Sequence, residues 1–181
     1  MRIRDGVAAA VLLAGLMTGL AGPAMAEPVT TDTATSSDVS ASAAAYGGVI
    51  TRAEVMTRAK DWWTRQIPYS QSAYASDINR GKTYRTDCSG YISMAWKLTS
   101  SRNTSTLDEV ATRISWSALQ PGDMILRVGH VKLFEKWANT AKTSMWIYEE
   151  GSTSTDMDHE TVSVATLQSG DYLPWKYRNI R

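Results

Sequence analysis

Cys88 is the only thiol in the sequence, and it stands in Tyr84-Arg85-Thr86-Asp87-Cys88-Ser89-Gly90-Tyr91, where a polar turn gives way to a helical pattern. At a helix start, backbone N–H groups and the helix dipole favour the thiolate, the reactive form of cysteine. Forty-two residues on, Gly129-His130-Val131 carries one of only two histidines, at the head of an apolar, strand-like run. A lone thiol and an imidazole on separate rigid elements supply a nucleophile and its base. The chemistry these residues suggest is that of a cysteine hydrolase. His159, in the polar run Asp156-Met157-Asp158-His159-Glu160, is the other candidate base, and reads as a solvated turn histidine.

The elements that must position these groups follow from local pattern. Thr51-Arg52-Ala53-Glu54 is a capping box, flanked by Ile50 and Val55 as a hydrophobic staple. The helix it opens carries Val55, Met56, Ala59, Trp62 and Trp63 and should stop before Pro68. Residues 69–86 read as a long surface loop. The next helix starts near Cys88, with Cys88, Ile92, Ala95 and Trp96 on one face. Asp87 reads as the cap of that helix; as a catalytic group it is disfavoured, because its charge would raise the thiol pKa. A shorter helix is expected over Leu107 to Ile114.

Beyond Pro121-Gly122-Asp123 the period changes. Met124-Ile125-Leu126, Val131 to Trp137, Met145 to Glu149 and Thr161 to Val164 read as strands, and Tyr172 to Tyr177 as an edge strand despite Pro174. Helices first and an antiparallel sheet after predict an α+β fold.

Composition narrows the classes. Nineteen Lys and Arg are scattered among eighteen Asp and Glu, so no basic stripe points to nucleic acid and no charge block to a membrane surface. Arg2 and Arg4, the apolar run from Val7 to Leu20, and Ala24-Met25-Ala26 have the pattern of a secretory signal peptide over residues 1–26. The expected protein is therefore secreted, with no stable membrane insertion after cleavage. Residues 27–48, rich in Ser, Thr and Ala, read as a flexible linker or pro-segment, and 49–181 as one domain. That domain holds all seven Trp and seven of the eight Tyr, which read mainly as core. One Cys and two His without ligand spacing make no zinc site, and no Gly-rich phosphate loop is present, so neither metal nor cofactor is expected. Ser89 lacks the flanking glycines of a serine-hydrolase elbow. Nothing requires more than a monomer.

Asp87-Cys88-Ser89-Gly90-Tyr91, Pro121-Gly122-Asp123 and Gly129-His130-Val131, in that order behind a leader, resemble the NlpC/p-sixty superfamily of papain-like cysteine peptidases. The resemblance spans roughly Trp62 to Glu150. It implies a papain-like, NlpC-type fold, with N-terminal helices packed on an antiparallel sheet and the nucleophile at a helix N-terminus. The implied activity is hydrolysis of peptide bonds in bacterial cell-wall peptidoglycan, at the cell wall outside the cell. Cys88 matches the family nucleophile and His130 its base. The family places a polar residue on the next strand to orient the imidazole. Strand alternation puts Glu149 beside Ile147 and Glu150 on the opposite face, so Glu149 is favoured and Glu150 kept in reserve. Tyr69, before the nucleophile helix, matches a family tyrosine facing the site. It is grouped with Ser89 as an oxyanion or substrate-binding candidate, beside the Cys88 backbone N–H. Two alternatives remain: an acyltransferase or amidase on another secreted substrate, and a non-catalytic wall-binding or effector module.

Overall fold

The computed structural model describes residues 45–181. The leader expected over 1–26 and most of the expected linker lie outside the described residues. Residues 45–48 belong to the domain, contrary to the linker boundary at 48. The Tyr46 hydroxyl donates to Asp77 Oδ2 (2.7 Å), and the Gly47 N–H donates to the Lys97 carbonyl (2.8 Å).

The described residues form an α+β structure of three α-helices and eight strands. Helix α1 (Arg52–Arg65) starts where the capping box predicts, with Thr51 accepting from the Glu54 N–H, and ends at Gln66 in a left-handed conformation. The stretch read as a loop contains a small hairpin, β1 (Tyr74–Ser76) and β2 (Thr83–Arg85). Helix α2 (Cys88–Ala95) follows directly. The helix expected over 107–114 is instead a 3-10 turn, Asp108–Val110, running into strand β3 (Ala111–Arg113). A second 3-10 turn, Trp116–Ala118, leads to β4 (Met124–Arg127), β5 (His130–Trp137), β6 (Ser144–Glu150) and β7 (Met157–Ser163). Val164, read as a strand end, opens helix α3 (Val164–Ser169) under a Ser163 cap, and β8 (Leu173–Tyr177) closes the chain.

The main sheet has the order β3-β8-β4-β5-β6-β7, and the described neighbours pair antiparallel. Strand β8 is therefore internal, not the expected edge. Pro174 is tolerated there because its carbonyl, on the β3 side, accepts from Ile114 just past the end of β3 (3.1 Å). Its missing N–H points the same way, past the end of β3, and so takes no bond from the β4 ladder.

Alternation sends residues of the same strands into two cores. Met124, Leu126, Val131, Leu133 and Tyr148 join the α1 and α2 core, whereas Ile125, Phe134, Met145 and Ile147 pack with Leu167 of α3. Trp62 and Trp96 are fully buried, and each indole N–H finds a carbonyl, on Ser76 and Gly122 respectively. Burying the sheet on both sides fixes the ends of β5 and β6, where the candidate site lies.

Candidate functional site

Three neighbouring residues set the start of α2, where Cys88 lies. Asp87 caps α2 by accepting from the Gly90 N–H (2.7 Å), and Arg85 Nε donates to its other oxygen (2.5 Å). Gly90 is required by packing: a Cβ there would lie 1.8 Å from the Arg85 carbonyl oxygen. The motif around Cys88 is thus a compact first turn braced against its own preceding strand. Ser89, grouped with substrate-binding residues on sequence grounds, spends its hydroxyl on this brace. It is buried, donates to Asp87 (3.2 Å) and accepts from Arg85 (3.1 Å).

Cys88 is 6% exposed, and its thiol meets the backbone N–H groups of Val131 and Ser89. Val131 is the residue after His130, so packing of α2 on β5 brings the thiol to the turn that carries the imidazole. His130 lies at the head of β5, paired with Arg127 of β4, and its Nε2 is bonded to Glu149 Oε2 on β6. With a neutral imidazole, Nε2 donates to this carboxylate and Nδ1 is left as the basic atom. The Tyr172 ring stands edge-on to the imidazole, with centroids 6.3 Å apart.

Glu149 and Glu150 have opposite environments although they are adjacent. Burial raises the Glu149 carboxyl, but the bond from His130 and the charge and bond of Lys132 outweigh it and hold it down to about 2. The group is a carboxylate at any working pH. Glu150 is fully buried, and neither of its carboxyl oxygens has a hydrogen-bond partner among the described residues. Burial, with the charges of Asp156 and Asp87, pushes it up to about 8. Of the two, Glu149 is the one placed on the imidazole.

Tyr69 and His159 make their hydrogen bonds to other residues. The Tyr69 backbone N–H donates to Asp156 (2.9 Å) and its hydroxyl accepts from Gln71 (3.2 Å), which ties the pre-helix loop to the β6–β7 turn. His159, expected in a solvated turn, is within β7, stacked on Tyr148 (4.0 Å between ring centroids) and bonded through Nε2 to Glu135 (2.9 Å). Its ring is held in an aromatic cluster with Trp63 and Trp146. Lys132 was not anticipated, yet its Nζ meets the second Glu149 oxygen, Oε1. Its spacing of two from His130 on a strand was the available signal, since such residues share a face.

Beside the site, Leu126, Val128, Leu173, Trp175, Thr104 and Asp108 line part of a cavity of about 340 Å³. Thr104 Oγ1 accepts from the Gly129 N–H (3.2 Å), so the cavity reaches the turn that carries His130.

The sequence suggested a thiol lowered by the helix end, and the structure places it in the opposite regime. Burial first, and then the charge of Asp87, push Cys88 up to about 11, with smaller opposing pulls from the two N–H groups. Cys88 therefore rests as a thiol, held at the backbone of Val131, while the imidazole of the preceding residue is bonded to Glu149. Alkylation by iodoacetamide should accordingly be slow at pH 7 and rise about tenfold per pH unit towards pH 9, because the thiolate is the nucleophile. A rate plateau extending below pH 7 would instead show a preformed thiolate–imidazolium pair.

Comparison with family models, with curated proteins and with solved structures gives no match for this chain.

Proposed function

We propose that this chain is a secreted cysteine hydrolase of papain-like, NlpC-type architecture, acting on amide bonds in peptidoglycan stem peptides. The observation that carries the reading is the convergence of three elements. Helix α2 presents Cys88 against the Val131 N–H, His130 is the residue before Val131 on β5, and β6 supplies Glu149 to the imidazole Nε2. A thiol needs a base whose other nitrogen is held in one tautomer, and Glu149 provides that hold.

The chemistry follows from these positions. As a substrate carbonyl docks, His130 Nδ1 takes the thiol proton while sulfur forms a bond to the carbonyl carbon. Negative charge develops on the carbonyl oxygen, where the Cys88 N–H at the start of α2 is the natural donor. The proton then passes from the imidazolium to the departing amine as the C–N bond breaks, leaving a thioester. Water, deprotonated by the same imidazole, hydrolyses that thioester, releases the acid and returns the proton to sulfur. An amine in place of water would give acyl transfer from the same intermediate. Because Cys88 rests as a thiol, proton transfer belongs to the substrate-bound step. Glu149, fully ionised, stabilises the imidazolium formed there.

The raised thiol favours one second reading, a non-catalytic wall-binding module built on the same scaffold. Incubating purified wall fragments with the wild type and with Cys88→Ala, followed by mass spectrometry, separates the two. New amine and acid termini formed by the wild type alone support the hydrolase. Fragments left intact by both, but retained on both, would establish the binding module.

A further inference from the structure

We propose that Lys132 is a positioning residue of this site: it shares the Glu149 carboxylate with His130 and so sets the pH at which the imidazole becomes a base. Its geometry stands independently of the hydrolase reading; only the activity arm of the test below rests on that reading.

Strand β5 carries His130 and Lys132 two residues apart, hence on one face. Glu149 lies next to the Leu133–Tyr148 pair of the β5–β6 ladder, which sets its side chain between them. One carboxylate oxygen takes the imidazole Nε2 and the other takes the ammonium. With both oxygens occupied, rotation of the carboxylate is restrained. All three side chains are largely shielded, at 15% exposure for His130, 12% for Lys132 and 9% for Glu149, so screening by water is weak.

The wider charge pattern explains why a lysine stands here. Carboxylate oxygens of Glu149, Asp158 and Glu160 lie within 4.8 Å of one another. Lys132 also reaches Glu160 (3.7 Å), so its ammonium is the counter-charge of this acidic cluster. Several elements bring groups towards the imidazole and its partners. Glu149 comes from β6, Asp158 and Glu160 from β7, Arg127 from the paired position on β4 and Tyr172 from the segment before β8. Cys88, at the start of α2, senses the charge of Glu149. Among these, Lys132 is the cation bound to the same carboxylate as the ring. It offsets part of the negative charge that would otherwise face the imidazole alone.

The test uses the whole chain as wild type, Lys132→Met, Lys132→Gln and Lys132→Arg. The ring of His130 is titrated by NMR, with His159→Gln distinguishing the two histidines. Hydrolysis of wall fragments is measured against pH, and melting temperature is recorded for each variant. Removing the charge should move the imidazole midpoint, and the acid limb of the rate profile, upward by about one pH unit, while Lys132→Arg restores both. Lys132→Gln keeps a donor to Glu149 and covers the case where methionine is not tolerated. A lower melting temperature with the midpoint and limb unmoved would overturn the proposal and leave Lys132 a structural ion-pair partner. A moved midpoint in a protein with no hydrolytic activity would uphold the hold of Lys132 on the imidazole and overturn the hydrolase reading.

Discussion

Replacing His130 with alanine should lower hydrolysis of wall fragments by about 10²- to 10⁴-fold, the range typical of a positioned acid–base group, while leaving the fold intact. The loss should be this large because no second base is at hand. His159 is committed to Glu135 and stacked on Tyr148, and Asp87 and Glu149 are engaged by Arg85 and Lys132. The fold should survive because the β4–β5 ladder at this point is made by backbone, and Glu149 keeps Lys132 as its partner when the imidazole is gone. The checks are initial rates on wall fragments together with the far-ultraviolet dichroism and melting temperature of the variant. Activity within about threefold of wild type would remove His130 from the chemistry, since an acid–base group in the reaction path contributes far more than that.

What the sequence revealed about this site was mostly local. Thr51 with Glu54, and Asp87 with Gly90, are contacts across three residues, and a side chain that caps a helix can be read from spacing alone. The split between Glu149 and Glu150 was also legible, because a strand sends successive side chains to opposite faces. Long-range pairing was harder to read. Residues 111–113 sit in a segment of helical pattern, yet they form a strand because β8 offers an unpaired edge to them. The β1–β2 hairpin has strands of three residues, and distant groups hold it. Trp62 Nε1 donates to the Ser76 carbonyl and the Tyr84 hydroxyl to the Leu98 carbonyl, neither of which the hairpin's own sequence announces. His159 was misread for the same reason: its polar neighbours suggest a turn, but pairing with β6 makes the segment a strand and places the ring on Tyr148. The thiol was misjudged because a helix end was weighed without the burial that only packing of α2 on β5 reveals.

Glu150 carries the largest expected effect on stability. It is completely buried one residue from Glu149, its oxygens find no hydrogen-bond partner among the described residues, and its neighbours Asp156 and Asp87 are themselves acidic. The carboxyl is pushed up to about 8 in the folded protein, against about 4.3 for an unfolded glutamate. Between these values the unfolded chain has released a proton that the folded chain retains, so stability falls as pH rises. The slope is about 1.4 kcal/mol per pH unit, which makes the loss between pH 5 and pH 8 about 3–4 kcal/mol. Glu150→Gln preserves the shape and removes the titration. Its buried amide still lacks partners, but that penalty does not vary with pH. Urea unfolding of both proteins at pH 5, 6, 7 and 8 should therefore show the wild type losing stability relative to the variant by this amount. The variant should gain most at the alkaline end. Curves that stay parallel across the range would mean that Glu150 is ionised in the folded state or solvated in a way its burial does not allow. If the difference appears as expected, a neutral carboxylic acid lies behind the start of α2. At neutral pH Cys88 then faces the charge of Asp87 without that of an unpaired carboxylate at Glu150.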